Sequence, residues 1–192
     1  MNCRNCESAL SLELMDLGFS PPSNAYLSPQ DLNKVEVWVP LKVLVCQNCW
    51  LAQTLDFHGE SEVFTEDYAY FSSTSKSWVE HARIFVEKSI TELGLGSDSF
   101  VIEVASNDGY LLQHLKDKGI PNLGIEPTNS TAQVAISIGI ETIIKFLNPE
   151  LAREVVSLYK KADLIIGNNV FAHVPDIRGF SDSLAHMLSD NG

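Results

Sequence analysis

The spacing of apolar residues differs between two parts of the chain. Residues 35–57, "VEVWVPLKVLVCQNCWLAQTLDF", alternate apolar and polar positions, which predicts two strands joined by a turn that contains two cysteines. From Ser72 onward the period becomes helical, and a helix is predicted to start at Ser/Thr cap residues and to end near Gly94. We therefore expect a small β-rich module over residues 1–68 and a second domain over residues 69–192.

The second domain repeats one pattern, in which a short apolar strand precedes a helical segment. Strands are predicted at 100–106, 122–127, 141–147 and 162–170. Such alternation is typical of parallel strands joined by right-handed crossovers, with helices covering both faces of the sheet. The fold class is therefore α/β with a doubly wound sheet. Ligands of such sheets bind at the carboxyl ends of the strands.

The four cysteines form two Cys-x-x-Cys pairs, Cys3 with Cys6 and Cys46 with Cys49. This spacing turns both thiolates of a pair toward one cation, and two pairs supply the four ligands of a tetrahedral structural Zn²⁺ site. The alternative is a set of redox-active or free thiols. The turn-rich stretch "GFSPPSNAYLSPQDLNK" is expected as an insertion between the pairs, and the metal is expected to supply much of the stability of so small a module.

Charge and hydropathy exclude several kinds of partner. Asp and Glu outnumber Lys and Arg by 25 to 13, for a net charge of −12, so nucleic acids and anionic membranes are not expected partners. No apolar segment approaches the ~20 residues that span a bilayer. The N-terminus "MNCRNCESAL" lacks the apolar core of a secretion signal, and a cytoplasmic location is expected.

The first crossover, "VIEVASNDGYLLQHL", carries a polar turn between a strand and a helix. Glu103 lies in the strand, and Glu126 follows the next strand, where a carboxylate can accept hydrogen bonds from two ribose hydroxyls. No Gly-x-Gly-x-x-Gly is present, which disfavours a nicotinamide-dependent oxidoreductase. S-adenosylmethionine needs no phosphate cradle, and its positive groups suit an acidic loop. The alternative interpretations of the two glutamates are a solvated strand end and a charge at a helix start.

The chain resembles, over its whole length, the S-adenosylmethionine-dependent sugar C-methyltransferases that act on nucleotide-linked 4-keto-deoxysugars. The resemblance rests on "PPSNAYL", "CQNCWLAQ", "DYAYFSSTSKSW", "SNDGYLLQ", "GIEPT" and "NNVFAHVPD" in that order, together with the first cysteine pair. It implies a zinc-binding β-rich module followed by a partial Rossmann-like class I methyltransferase sheet. In the family, that sheet has the strand order 3-2-1-4-5-7-6.

The resemblance also implies site residues. The residues implied to bind the cofactor are Glu103, Ser106, Asn107, Asp108, Gly109, Glu126, Phe146, Asn168 and Asn169. Ala105 stands where many methyltransferases have glycine. Asn168, Asn169 and His173 would face the methyl donor and the substrate. Phe146 could instead be a core residue.

C-methylation requires a carbon nucleophile, so a base must remove a proton beside a ketone. His173, in the loop after the fourth strand, is the candidate for that neighbourhood, with a surface or capping histidine as the alternative. Tyr70 is a second catalytic candidate, as a substrate contact or proton carrier, or else a packed aromatic at a domain junction. Tyr68 and Phe71 are expected in the core.

Family members are about twice as long as this chain, and the resemblance implies further strands and a substrate domain beyond residue 192. A fragment, a truncated gene and a natural short form all remain open, as does a non-catalytic zinc-stapled binding module. In a sheet without a fifth strand, the apolar strand at 163–169 would be an edge. We then expect self-association through that edge, because unpaired N–H and C=O groups are a template for another chain.

Overall fold

The computed structural model describes residues 1–24, 26–55 and 69–192. These residues fall into two compact units, of which the first comprises Met1–Thr65 with Ala172–Arg178 and the second comprises Glu66–Phe171 with Gly179–Gly192. The expected domain boundary after residue 68 and the expected core position of Tyr68 lie outside the described residues. Among the described helices, none has both the length and the apolar character needed to cross a membrane.

The first unit contains a three-stranded antiparallel sheet, in the order β1-β2-β3. Its strands are β1 (Leu12–Ser20), β2 (Val39–Val45) and β3 (Ala52–Thr54). The predicted pair of strands around the second cysteine pair is confirmed as β2 and β3. Strand β1 was not predicted, because its sequence "LELMDLGFS" does not alternate regularly.

The prediction of a strand that starts at Val35 is wrong, since β2 begins at Val39. The last residue pair of the β1–β2 ladder joins Ser20 to Val39. Two prolines follow Ser20, and a proline has no N–H to donate to a ladder. Residues before Val39 therefore have no continuing β1 strand to pair with.

The interior of the first unit consists mainly of its cysteines. Among the described residues of Met1–Thr65, only Cys3, Cys46 and Gln53 are buried. Apolar side chains of β1 are exposed, with Leu17 at 62% and Phe19 at 65%. Within the described residues, burial of apolar surface therefore stabilises this unit little, and a metal bound by the cysteines is expected to add stability to the paired strands.

The second unit confirms the predicted α/β class. Helix α1 (Lys76–Leu93) precedes a parallel sheet in the order β6-β5-β4-β7. The strands are β4 (Val101–Val104), β5 (Asn122–Ile125), β6 (Thr142–Ile143) and β7 (Leu164–Ile166). The later helices are α2 (Leu112–Asp117), α3 (Asn129–Ser137), α4 (Pro149–Leu158) and α5 (Ile177–Met187).

Strand order and burial position the loop after β4. All four residues of β4 are buried, as expected for a central strand covered on both faces. Residues of α1 and α2, including Val86 and Leu112, pack with Val101 in one hydrophobic core. The loop after β4 is therefore held between the neighbouring strands β5 and β7.

Strand β7 pairs with β4 on one side, and within the described residues no strand pairs with its other side. An open cleft of about 1020 Å³ lies beside it. The cleft is lined by apolar side chains of the second unit, including Leu95, Leu164, Ile165, Phe180 and Leu184. Next to this edge, an isolated parallel bridge joins Ala162 to Leu188, so the part that lacks a second paired strand among the described residues is β7 itself.

Candidate functional site

The four cysteine sulfurs converge at one point in the first unit. All four Sγ atoms lie within 4.8 Å of one another. The Sγ atoms of Cys3 and Cys49 are 3.5 Å apart, as are those of Cys6 and Cys46. Four sulfurs at the ~2.3 Å of a tetrahedral Zn–S bond would be about 3.8 Å apart. The sulfur cluster therefore fits a Zn²⁺ ion, and each pair supplies two ligands as the spacing predicts.

Each cysteine pair lies in the same kind of turn. Glu7 and Trp50, which follow the second cysteine of each pair, both have left-handed backbones, with φ of 62° and 63°. The Glu7 N–H donates to the Cys3 carbonyl at 3.0 Å, and the Trp50 N–H donates to the Cys46 carbonyl at 2.9 Å. Left-handed residues other than glycine are uncommon and concentrate at functional sites. The repeated turn brings both sulfurs of a pair to one side.

The environments of the thiols differ. Hydrogen bonding with Ser8 and Asn48 lowers the pKa of Cys6 to about 5. Burial raises the pKa of Cys3 to about 11. The backbone N–H of Asn48 also donates to the Cys46 sulfur at 3.4 Å. Such N–H donors stabilise thiolate sulfur, the form that binds metal.

In the second unit, the loop after β4 has an unusual backbone. Ala105, Asn107 and Gly109 have positive φ angles of 56°, 51° and 78°. Ala105 thus adopts the conformation for which many methyltransferases have glycine, at a cost of about 1–3 kcal/mol. At Gly109 the positive φ favours glycine, and a Cβ there would also lie 3.2 Å from the side chains of Ala135 and Ile140, a tight contact.

Glu103 is a fully buried carboxyl in β4. Neither of its oxygens has a hydrogen-bond partner within the described part of the chain. Burial, together with the charges of Glu126 and Asp108, raises the pKa of Glu103 well above its usual range. The buried Ser106 Oγ and Asp108 Oδ1 likewise have no partner among the described residues. Buried polar groups without partners are rare in proteins, where ordered water, an ion or a ligand commonly satisfies them.

Glu126 is buried immediately after β5 and joins that strand to the loop. Its Oε2 accepts a hydrogen bond from the Asn107 N–H at 2.9 Å, and its Oε1 accepts from the Thr128 N–H at 2.9 Å. The Thr128 hydroxyl also donates to Oε1. A carboxylate offers about four acceptor positions, so Glu126 can still accept a hydrogen bond from a ligand.

The side chains of Asn107 and Asp108 contact the backbone of residues 70–73. Asn107 Oδ1 accepts from the Ser72 N–H at 2.8 Å, and its Nδ2 donates to the Tyr70 carbonyl at 3.0 Å. Asp108 Oδ2 accepts from the Ser73 N–H at 3.0 Å. The polar loop thus holds a neighbouring segment of the chain, a role that the sequence did not indicate.

Tyr110 was missed by the sequence interpretation. Its ring is buried and stacks on Trp78, with the ring centroids 6.0 Å apart. Its hydroxyl accepts a hydrogen bond from Asn168 Nδ2 at 3.1 Å, and burial beside Glu103 raises its pKa. The adjacent motif "SNDG" was the available signal, since Tyr110 follows it directly. Tyr110 connects the loop after β4 to the loop after β7.

The structure brings together most of the predicted cofactor residues but not all. Glu103, Glu126 and the loop from Ser106 to Gly109 share the carboxyl ends of β4 and β5. Asn169 is exposed with φ of 54°, and Phe146 is half-buried after β6. Tyr70 is 51% exposed among the described residues, and Phe71 is half-buried. His173 is exposed at the end of the 3₁₀ turn Phe171–His173 and belongs to the segment grouped with the first unit.

Two family profiles match separate parts of the chain. A family profile described as "Putative zinc binding domain" matches residues 3–64, and one described as "Methyltransferase domain" matches residues 78–192. The chain belongs to the methyltransferase-domain family. S-adenosylmethionine is accordingly its cofactor, and the four cysteines form its zinc-binding cluster.

The chain is also similar to a curated relative, the C-methyltransferase NovU of Streptomyces niveus. The two are 31% identical over 190 residues, which cover 99% of this chain and 45% of NovU. This chain therefore spans less than half of the length of that relative. The similarity extends across both units.

Two solved structures are similar to part of this chain. A SAM-dependent methyltransferase from Anabaena variabilis is 21% identical, with a TM-score of 0.48, and the match covers 58% of this chain and 49% of that one. The plantazolicin methyltransferase BamL, solved with a triazolic desmethylPZN analogue and SAH, is 25% identical. Its TM-score is 0.43, and the match covers 60% of this chain and 48% of that one.

Proposed function

We propose that this protein methylates carbon in a nucleotide-linked keto-deoxysugar, with S-adenosylmethionine as methyl donor. The observation that carries the proposal is the pair of buried carboxylates at the ends of β4 and β5, with Glu103 lacking any protein partner among the described residues. Transfer of the methyl group to carbon is supported by the similarity to NovU, which is named a C-methyltransferase. The sugar substrate is supported by resemblance alone, through the motifs "SNDGYLLQ" and "NNVFAHVPD".

Specific residues would hold the cofactor. Glu103 and the unpartnered Asp108 Oδ1 offer negative charge to the cationic end of S-adenosylmethionine. Glu126 offers its remaining lone pairs to the ribose hydroxyls, and Ser106 Oγ offers a further polar contact. Phe146 is proposed to stack on adenine, and Asn168 and Asn169 are proposed to line the pocket from the loop after β7. The bound cofactor supplies an electrophilic methyl group.

The substrate carbon must first lose a proton beside its ketone, and donors must stabilise the enolate oxygen. We propose His173 as the residue that assists deprotonation or orients the sugar, and Tyr70 as a substrate contact or proton carrier. In the complete protein, His173→Asn should lower turnover by ~10²-fold or more if His173 is an acid–base group. A wild-type rate would remove it from the mechanism.

The cofactor assignment is tested by calorimetry with S-adenosylmethionine. Asp108→Ala or Glu126→Ala should weaken binding by about 1–3 kcal/mol, because each removes a charge-assisted hydrogen bond. The matched control is Glu141→Ala, which removes a carboxylate that is exposed and bonded to Tyr159. Affinity unchanged in both test variants would place the cofactor elsewhere.

We further propose that the chain self-associates through the open edge at β7. The unpaired side of β7 and the apolar cleft beside it support this proposal, since an uncovered strand edge pairs readily with another chain. Sedimentation velocity over a range of concentrations should show a reversible dimer or larger species. A monomer at every concentration would contradict it.

A further inference from the structure

The segment formed by residues 70–74 is fastened to the cofactor loop at three points. The contacts are those of Asn107 with the Tyr70 carbonyl and the Ser72 N–H, and of Asp108 with the Ser73 N–H. All three run from side chains of the loop to backbone atoms of the segment. Backbone contacts of this kind do not depend on which side chains the segment carries.

Asn107 is suited to this contact by its chemistry. Its amide oxygen accepts one hydrogen bond while its amide nitrogen donates another, and an ionised carboxylate, which only accepts, cannot make that pair of contacts. Its left-handed backbone, with φ of 51°, is also one that asparagine adopts more readily than most residues. Two independent requirements, the paired hydrogen bonds and the left-handed backbone, therefore both favour asparagine at this position.

Asp108 faces two ways. Its Oδ2 accepts from the Ser73 N–H, while its buried Oδ1 has no partner among the described residues. One carboxylate thus connects the segment to the proposed cofactor side of the loop. The Asn107 backbone makes a second connection, because its N–H donates to Glu126, the proposed ribose acceptor.

The fastened segment leads into α1 and carries a catalytic candidate. Ser72 is buried in the 3₁₀ turn Ser72–Thr74, and Ser75 then caps α1 by accepting from the Trp78 N–H. Tyr70, two residues before Ser72, has its carbonyl held by Asn107. The hydrogen bond from the Asn107 side chain thereby holds the backbone of Tyr70 in place.

We propose that Asn107 and Asp108 form a clamp which couples cofactor binding to the placement of the Tyr70 segment. Asn107 is a positioning residue for Tyr70 rather than a cofactor ligand through its side chain. The coupling half of this inference rests on the proposed function. A ligand that orders the loop also orders the segment, and by linkage the ordered segment tightens the binding of the ligand by the same factor.

Amide hydrogen exchange at Ser72 and Ser73 tests the clamp without any ligand. Asn107→Gly keeps the left-handed backbone without strain and removes only the side chain. Exchange at the Ser72 amide should become about tenfold faster or more, which corresponds to ~1.4 kcal/mol. Asp108→Asn, which keeps an acceptor but removes its charge, should accelerate exchange chiefly at Ser73. Unchanged exchange at both amides overturns the clamp.

Two controls separate the clamp from general loss of structure. Thr74→Ala removes a hydrogen bond inside the same turn, from the Thr74 hydroxyl to the Phe71 carbonyl, and should leave the Ser72 and Ser73 amides protected. The amide of the buried Val86 in α1 is the internal reference. If Asn107→Gly accelerates Val86 and Ser72 equally, the effect is unfolding, and the Asp108→Asn arm then decides.

The coupling is tested by adding S-adenosylhomocysteine, which cannot transfer a methyl group. In the wild-type chain, saturating ligand should slow exchange at Ser72 and Ser73 by about tenfold, and Asn107→Gly should abolish that slowing. If calorimetry shows binding while both amides are unaffected, the coupling is overturned and the proposed function stands. If the wild-type chain binds no ligand at all, the proposed function fails and the coupling with it, while the ligand-free result for the clamp remains.

Discussion

At the scale of single residues, Glu103 has the least favourable environment in the second unit. It is fully buried, it has no hydrogen-bond partner among the described residues, and Glu126 and Asp108 add negative charge nearby. The nearby Tyr110 hydroxyl lowers the pKa of Glu103 and so opposes the effect of burial and charge in part. Each carboxylate of the cluster is more costly because of the others, which is the arrangement expected where a cationic ligand binds.

The raised pKa of Glu103 predicts a pH-dependent stability without ligand. In the folded state, the pKa of Glu103 lies above the ordinary value of 4.5. Proton binding by Glu103 therefore stabilises the folded state fully below pH 4.5, and this stabilisation is lost as pH rises through the folded pKa. As pH rises from 4.5 through the folded pKa of Glu103, the free energy of unfolding should fall more in the wild type than in Glu103→Gln. Urea denaturation measures both. Parallel pH profiles would show that Glu103 is not the group responsible.

At the scale of secondary-structure elements, the close approach of β5 to the loop shapes the site. A Cβ on Gly124 would lie 2.5 Å from Ser106 Oγ and 3.2 Å from Thr142 Oγ1. The parallel pairing of β4 with β5 places Gly124 opposite Glu103. Only glycine lets these strands pair while Ser106 stays buried between them.

Gly124→Ala should therefore displace Ser106 and distort the loop. Overpacking of this kind costs about 1–3 kcal/mol of stability, and affinity for S-adenosylmethionine should fall with it. The matched control is Gly96→Ala, where a Cβ would meet nothing within 4 Å. Thermal denaturation and calorimetry of both variants check the prediction. Equal behaviour of the two alanine variants would mean that the loop tolerates the displacement.

At the scale of the whole molecule, the two units are stabilised by different means. The second unit has a hydrophobic core that joins α1, α2 and the sheet. Between residues 1 and 55, the described part of the first unit buries two cysteines and a glutamine and leaves the apolar side chains of β1 exposed. Since the cysteine cluster takes the place of a core, Zn²⁺ binding and folding of the first unit should be one process.

Metal analysis should find about one Zn²⁺ per chain, and Cys46→Ser with Cys49→Ser should remove it. In the wild-type chain, removal of Zn²⁺ by a chelator should accelerate amide exchange in β2 and β3. Strand β4 should stay protected, because the second unit has its own core. A control variant, Ser8→Ala, changes a neighbour of Cys6 and keeps all four sulfurs. Unchanged metal content in the double variant would contradict the four-cysteine site.

The sequence alone determined those features that depend on local periodicity and spacing. Alternating strands and helices specify a parallel sheet, whereas the strand order came from the family resemblance, whose 3-2-1-4 part agrees with the observed order β6-β5-β4-β7. Two Cys-x-x-Cys pairs specify the sulfur cluster. These inferences succeed because a helix, a strand or a chelating turn is set by residues close together in the chain.

Only the tertiary structure decided what joins distant residues. The pairing of β1 with β2, the contacts of Asn107 and Asp108 with residues 70–73, and the burial of Tyr110 against Trp78 connect positions that no local pattern relates. The sequence predicts Asn107 as a cofactor-binding residue, and the folded chain shows in addition that its side chain contacts the backbone of Tyr70 and Ser72. Whether its amide meets a ligand or a backbone depends on which segment the packed sheet and α1 bring beside it, and that is a property of the folded chain.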